Sequence, residues 1–309
     1  MISIALTTYN GIKYIKEQLD SIKNQSRLPD QVVIVDDCSA DGTFEYIQAY
    51  IRDNALSNWF ITQNKTNQGW KINFRIALKK CIGELVFLCD QDDIWYENKV
   101  QEMCSEMEQN PRILLLASNY SVLNIDREDK VKIRGLKRND GSVKKLLFKK
   151  NSLTIMRPGC TYCIRRSLIN ALWKNDLPNE PHDLMLWDNA VINDGLYLLN
   201  RITMDYRRHS DSASAPEDSI NLVRRCQEIT ESITLFYFLA EVCEQDGLND
   251  KAAVIRKHIK FMERRRSLLN RGSVLKMLAF QVLNFQHYAT LRNLLSDDYI
   301  ILRGIVDVN

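Results

Sequence analysis

Six residues, Asp90-Gln91-Asp92-Asp93-Ile94-Trp95, follow directly on the apolar run Leu85 to Leu88. Three carboxylates in four positions repel one another and lose hydration at the end of a buried strand, so the cluster calls for a cation. Oxygen donors of this kind select Mg²⁺ or Mn²⁺, and such an ion commonly accompanies a diphosphate. An acidic surface turn is the plainer alternative. The apolar run argues against it, because open α/β sheets gather ligands at the C-terminal ends of their strands. A second acidic pair, Asp36-Asp37, follows the apolar run Val32 to Val35, and capping a downstream helix would not need both. A further acid, Asp183 in Pro181-His182-Asp183-Leu184, stands where a helix is expected to begin. It fits either a general base or a helix cap. Asp188 is a second candidate base, about one helical turn further on.

The elements that would position these acids are legible from periodicity. Ile2 to Thr7 reads as a strand, Tyr9-Asn10-Gly11 as a turn, and Tyr14 to Lys23 as a helix with Ile15, Leu19 and Ile22 on one face. Val32 to Val35 is a second strand, and Asp41-Gly42-Thr43 opens a helix from Phe44 to Ile51. Trp59 to Thr62 is a short strand, Ile72 to Cys81 a helix, and Leu85 to Cys89 a fourth strand. This alternation predicts an α/β domain with a largely parallel sheet and right-handed crossovers. Next come a helix from Lys99 to Met107, a strand from Ile113 to Ala117 and an irregular stretch from Lys130 to Lys150. Sheet-like character resumes from Met156 to Ile164. Helices follow at Arg166 to Trp173 and His182 to Ile192, then a strand pair or extended segment from Leu196 to Asp205. Past Ser214-Ala215-Pro216 the strand signals stop, and residues 219 to 296 read as two or three helices. The expected division is an α/β catalytic domain over residues 1–217 and a helical region over 218–309.

Bulk properties narrow the class. The 309 residues, 45% hydrophobic and 26% charged, suit a folded soluble protein. A net charge of +3 is too small to argue for nucleic acid. Two blocks are nonetheless strongly basic: Lys130 to Lys150 holds nine Lys/Arg against Asp140, and Lys251 to Lys276 nine against Glu263. Each suits a solvated face; together they hint at an anionic partner. Eight scattered cysteines include Cys160-Thr161-Tyr162-Cys163, which has no second pair for zinc and reads as structural. With free thiols, no leader peptide and no spanning apolar run, the expected location is the cytoplasm, at or near the inner face of the membrane.

Thr7-Thr8-Tyr9-Asn10, Val35 to Thr43, Asn67-Gln68-Gly69 and Asp90 to Asp93 occur in that order. The series resembles the family 2 glycosyltransferases, whose GT-A fold is Rossmann-like with a mostly parallel central sheet. Asp90 to Trp95, with His182-Asp183 and Tyr206-Arg207-Arg208-His209, is similar to the rhamnosyltransferase-like branch of bacterial surface-polysaccharide enzymes. The likeness covers about residues 1 to 215. It implies an inverting, metal-dependent transfer from a dTDP-rhamnose or UDP-hexose donor to a growing glycan, lipid-linked in many relatives.

Carried over residue by residue, the resemblance gives Asp90 the ribose and Asp92 the Mg²⁺ or Mn²⁺. Asp93 becomes a second ligand or a sugar contact, Asp183 the base, and His209 a ligand completing the metal shell. It places Gly159, Cys160 and Thr161 on the acceptor side. His182 either orients Asp183 or touches the acceptor. The chain has His-Asp where many relatives have Glu-Asp, which fits the rhamnosyl-type branch. Beside the resemblance, Thr8, Tyr9 and Asp36 or Asp37 suit a pyrimidine, whose imide N–H a carboxylate accepts. Asn67 and Gly69 suit a tight turn at the donor, with Gln91 on the same side. Lys71 is either a phosphate contact or a surface lysine, and Trp95 a pocket wall or core. Arg207 and Arg208 suit phosphate oxygens.

Two other functions compete. A sugar-phosphate nucleotidyltransferase would need a Gly-rich, Arg-bearing loop after the first strand, where this chain has Thr7-Thr8-Tyr9-Asn10-Gly11. A non-catalytic nucleotide-sugar-binding assembly subunit would not need Asp90, Asp92 and Asp183 all intact. In the helical region, Val274, Met277, Leu278, Val282 and Phe285 form an apolar stripe near the second basic block. It suits packing, a homo-oligomer or a peripheral membrane contact.

Overall fold

The computed structural model describes residues 1–124, 139–149, 152–174, 177, 180–209, 222–288 and 291–306. The division expected near Ser214 to Pro216 and residues 130–138 and 150 of the first basic block lie outside them.

The chain divides into two compact units. The first comprises Met1–Leu147 with Thr154–Ala215, the second Phe148–Leu153 with Pro216–Asn309. In the first unit, β1 (Ile2–Thr8), α1 (Ile15–Lys23), β2 (Gln31–Asp36), α2 (Thr43–Asp53), β3 (Trp59–Gln63), α3 (Trp70–Lys80) and β4 (Leu85–Cys89) alternate as expected. Every residue of β1, β2 and β4 is buried, so these strands are covered on both faces. Leu6, Ile34 and Phe87 join Ile15, Leu19 and Ile22 of α1 in the core.

After β4 come β5 (Ile94–Trp95), α4 (Lys99–Gln109), β6 (Leu115–Asn124), β7 (Val143–Lys145), β8 (Tyr162–Arg165), α5 (Arg166–Lys174), α6 (His182–Ile192) and β9 (Leu196–Arg208). The strand order is β3-β2-β1-β4-β8-β6-β9-β5, with β7 also on β9. The sheet is parallel from β3 through β4 and mixed beyond: β8 runs antiparallel to β4 and β6, and β6 parallel to β9. The chain steps outward from β1 to β3, then returns to place β4 on the other side of β1. That reversal makes the C-terminal ends of β1 and β4 a topological switch point, where open α/β sheets gather their ligands.

Three expectations are corrected and a fourth is narrowed: of a strand pair or an extended segment from Leu196, the chain forms the latter, one strand of 13 residues, Leu196–Arg208. Its backbone pairs with β6 on one side and with β5 and β7 on the other. The sheet-like run from Met156 is strand only from Tyr162, because Gly159–Thr161 closes a 3-10 turn first. Strand β6 continues past Ala117 to Asn124. Within the basic block, Val143–Lys145 is strand rather than irregular.

The second unit holds four α-helices among the described residues, rather than two or three: α7 (Leu222–Gln245), α8 (Asn249–Asn270), α9 (Val274–Asn284) and α10 (Leu291–Val306). Gly247, at φ +75°, makes the turn between α7 and α8. Phe261 stacks on Phe280 and His287. Arg265 donates twice to Asp297, at 2.7 Å each, and Tyr288 donates to Asp297 Oδ2 at 3.1 Å. None of the described helices is long and apolar enough to cross a membrane.

Candidate active site

The acids after β4 and the residues after β1, β2 and β9 meet at one edge of the sheet. Parallel pairing sets Thr8 opposite Asp36 and Leu6 opposite Cys89, which brings the three loops to a common level. Two non-glycine residues in these loops, Asn10 (φ +48°) and Cys38 (φ +64°), occupy left-handed backbone. Such strain persists only where surrounding bonds over-determine it. Ser39 Oγ accepts from the Asn10 N–H at 2.8 Å, and Asn10 Oδ1 accepts from the Ala40 N–H at 2.9 Å.

Asp36 is saturated. Its Oδ1 accepts from the Ser39 N–H (2.9 Å) and Gln63 Nε2 (3.0 Å), and its Oδ2 from Thr8 Oγ1 (2.8 Å) and Ser39 Oγ (2.5 Å). With no exposed surface and no free lone pair, it builds the loops rather than meeting a base edge. Asp37 holds the 64–69 loop: Oδ1 accepts from Asn64 Nδ2 and the Gln68 N–H, and Oδ2 from the Gly69 N–H at 2.8 Å. Asn67 Oδ1 also accepts from that Gly69 N–H, which requires the turn Gly69 makes at φ +81°. Lys71 lies near the exposed Trp70, its Nζ 5.8 Å from the ring centroid. Gln91 clamps the backbone of Tyr9, accepting from its N–H (2.8 Å) and donating to its carbonyl (3.0 Å). The Tyr9 side chain is left at the rim, 47% exposed.

The four acidic-motif positions take different directions. Asp92 Oδ2 lies 2.8 Å from His209 Nε2, joining residues 117 apart in sequence. Asp93 turns inward with no exposed surface, its Oδ1 accepting from the Arg207 N–H at 3.1 Å. Apart from the weak Cys160 thiol, no donor is directed at its Oδ2. Burial, then the Asp92 and Asp90 charges, hold the Asp93 carboxyl well above the carboxylate range. Asp90 keeps some contact with solvent, yet its carboxyl is enclosed, and burial followed by the Asp92 charge pushes it up to about 7.

Asp92, Asp93 and His209 do not converge on one point. Among the described residues, the trio whose ligand atoms lie within 4.8 Å of one another is Asp90, Asp93 and Cys160. Asp93 is held at the back of the cluster because β5 begins just after it and pairs with β9. Arg207, 5% exposed, also faces inward: its Nε donates to the Asp92 carbonyl at 2.7 Å and its guanidinium pairs with Glu17.

Asp183 lies in the first turn of α6, partly exposed, with its Oδ1 accepting from the Leu184 N–H at 2.9 Å. Burial raises its carboxyl above the ordinary value, and the backbone amides of Leu184, Asp183 and Gly159 oppose this. A side chain at Gly159 would bring its Cβ to 2.9 Å from the Asp183 Cβ, so the 3-10 turn presses directly on the acid. Asp188 is wholly buried with neither oxygen hydrogen-bonded.

Several sequence-based assignments are corrected by burial. Cys160 and Thr161 face the interior, because the turn that carries them feeds β8 between β4 and β6; of the three acceptor-side residues only Gly159 reaches the surface. His182 is 3% exposed and stacked on Phe74 at 4.1 Å, and burial followed by the Arg75 cation lowers it to about 3, a neutral core imidazole. Trp95 is 3% exposed and packs on Phe87, so it is core rather than pocket wall. One residue escaped sequence reasoning. Lys99, at the start of α4, is 1% exposed, and burial lowers its ammonium to about 8 against the pull of nearby Cys160, Cys89 and Asp93. A lysine in an exposed-looking helix start carries no local signal.

A sequence model of glycosyl transferase family 2 matches residues 3–173. The chain belongs to this family. TarS from Staphylococcus aureus, a poly(ribitol-phosphate) β-N-acetylglucosaminyltransferase, is 28% identical over 210 residues, covering 65% of this chain and 33% of TarS. RfbG from Shigella flexneri, a dTDP-rhamnosyl transferase, is 25% identical over 218 residues, covering 67% of this chain and 72% of RfbG. This family 2 chain therefore spans only a third of TarS. In structure it resembles S. aureus TarS 1–349 in complex with UDP-GlcNAc, with a TM-score of 0.58 at 21% identity over 76% of this chain and 66% of that one. It also resembles the mannosyltransferase PcManGT from Pyrobaculum calidifontis in complex with GDP-Man and Mn²⁺, with a TM-score of 0.52 at 16% identity over 99% and 86% of the two chains. At these identities the structural likeness establishes the GT-A fold.

Proposed function

We propose that this chain transfers a sugar, with inversion, from a pyrimidine nucleotide-diphospho-sugar to a hydroxyl of a bacterial surface glycan. The observation that carries the reading is the union of Asp92 and His209 beyond the C-terminal end of β4. Two partly buried ligand atoms 2.8 Å apart, one carboxylate and one imidazole, suit a divalent ion, Mg²⁺ or Mn²⁺. Asp90 stands next to them, and Asp93 serves as a buried support rather than an outer ligand. Asp92 and His209 would hold such an ion, and the chemistry it would supply is positive charge to offset that of the leaving diphosphate.

The chain's own residues do the rest. Tyr9, exposed at the rim, offers a face to the base, and Asp37 Oδ2 keeps one acceptor direction beyond the Gly69 N–H. Asp183, raised by burial, takes the proton from the attacking hydroxyl. Gly159 leaves room for the acceptor to approach. The donor classes are those of the relatives, dTDP-rhamnose and a UDP-hexose. A thermal-shift panel of nucleotide sugars with and without Mn²⁺ tests the reading. A donor that stabilises only with metal supports it, and no metal-linked shift with any of them refutes it.

The glycan acceptor we propose is lipid-linked, met at the cytoplasmic face of the membrane. On α9, Leu275, Leu278, Ala279, Val282 and Leu283 are all exposed, Leu275 by 81%, while Met277 and Gln281 are buried. Spacing at i, i+3, i+4, i+7 and i+8 makes this one continuous apolar face. Among the described residues from 264 to 302 the exposed charges are Arg264, Arg271 and Lys276, while Asp297 and Asp298 are buried. An anionic lipid surface complements that rim; a second copy of the same face would oppose cation to cation. Co-sedimentation with phosphatidylglycerol vesicles at low salt supports the contact, and its loss in Leu275→Glu/Val282→Glu assigns it to α9. A concentration-dependent dimer that ignores vesicles refutes it.

A further inference from the structure

Lys99 breaks two local rules. A cation at the first position of a helix opposes the helix dipole, and a lysine is almost never fully buried without a partner. Lys99 nevertheless begins α4 with only 1% of its surface exposed. Its Nζ donates to the Cys160 carbonyl at 2.8 Å, lies 3.1 Å from Met204 Sδ and sits 4.3 Å from the Trp95 ring centroid. Only the carbonyl is a strong acceptor, and among the described residues no carboxylate is hydrogen-bonded to the ammonium. The Asp93 and Asp90 charges act on it from nearby without that contact. Such departures from local preference concentrate at functional sites.

The carbonyl that Lys99 holds belongs to the 3-10 turn Gly159–Thr161. The same turn presses on Asp183 at Gly159, and its Cys160 thiol lies in the group with Asp90 and Asp93. One buried ammonium therefore touches the element that separates the donor-side acids from the candidate base. We propose that Lys99 is a positioning residue with two effects. It is a fixed counter-charge behind the acid cluster, and it is the anchor that keeps the Gly159–Thr161 turn, and through it Asp183, in register. The inference rests on the metal-site reading above.

The two effects have opposite signs. A fixed positive charge behind the acids weakens their hold on a divalent ion, so its removal tightens ion binding. Loss of the anchor lets Asp183 drift, so transfer slows. Ordinary damage to the fold lowers both. The test is Mn²⁺ titration of the full chain without nucleotide, followed by electron paramagnetic resonance, alongside steady-state transfer kinetics. Lys99→Met fills the volume without charge or anchor. Lys99→Gln removes the charge but keeps an N–H for the carbonyl, and Lys99→Arg keeps the charge.

Both neutral variants are expected to bind Mn²⁺ more tightly, by roughly tenfold. Lys99→Met alone loses most of its kcat, at unchanged KM for the donor, and Lys99→Arg binds Mn²⁺ as the wild type does. Unchanged or weaker Mn²⁺ binding by folded Lys99→Gln overturns the counter-charge, and wild-type kcat in Lys99→Met overturns the anchor. If the wild type itself binds no Mn²⁺, the metal-site reading fails first, and the titration distinguishes the two.

Discussion

A single methyl group at Gly159 tests whether the turn sets the base. The backbone there is not left-handed, so alanine fits it, and the effect is steric. The new Cβ would sit 2.9 Å from the Asp183 Cβ and 3.5 Å from both Asp183 Oδ2 and Leu88 Cδ1. Carbon atoms settle at about 3.5–4.0 Å, so the turn and the first turn of α6 must part by about 0.6–1 Å. Leu88, wholly buried in β4, blocks retreat on one side, which leaves Asp183 to move. A misplacement near 1 Å costs on the order of 10²-fold in rate. Gly159→Ala is therefore expected to lower kcat by about 10²-fold and stability by about 1–3 kcal/mol. Donor affinity is expected to stay unchanged, because Thr8, Tyr9, Asp92 and His209 lie on other elements. Steady-state transfer and donor titration on the same preparation read this. A folded Gly159→Ala that turns over at the wild-type rate would refute the reasoning.

Asp183→Asn is expected to bind donor normally and lose about 10²–10⁴-fold in transfer. In the wild type, because burial raises the Asp183 carboxyl, kcat should climb with pH through a value above the ordinary carboxylate range. Asp188 has no partner, and burial, with the Glu180 and Asp183 charges, raises it well above 3.8. The folded state thus holds a proton that the unfolded chain releases, and stability falls as pH rises from about 4 toward the folded value, by up to about 1.4 kcal/mol per pH unit. Asp188→Asn has no proton to lose, so its melting advantage over wild type should widen with pH in that window; a constant gap in parallel melts contradicts the assignment. In the helical unit, Asp297→Ala leaves the Arg265 guanidinium buried and unpaired, at a cost of about 3–5 kcal/mol in urea unfolding.

The parallel half of the sheet was legible because β1, β2 and β4 are buried on both faces and appear as unbroken apolar runs. The acids after β4 were legible because crowded carboxylates have few structural uses. The pairing of Asp92 with His209 was legible through the family likeness, but the parts of Asp36 and Asp93 were not, since they depend on partners distant in sequence, Gln63 and Arg207. Trp95 and His182 look like site residues in sequence, and only packing on Phe87 and Phe74 shows them to be core. The two-residue strand β5 is too short to leave a periodicity. Lys99 was invisible for the opposite reason: its type and position match an ordinary surface helix start. In the helical unit, the short 3-10 turn Phe285–His287 follows α9 directly, before α10 begins, and its phenylalanine reads as a continuation of the stripe.

The proposed divalent ion lies between Asp92 and His209, against a diphosphate. Anomalous scattering from crystals grown with Mn²⁺ and UDP or dTDP locates that ion directly. The expected result is one Mn²⁺ peak within bonding distance of Asp92 and His209 and touching the diphosphate, absent in Asp92→Asn. A bound nucleotide with no metal there, or Mn²⁺ at a site remote from both residues, would contradict it.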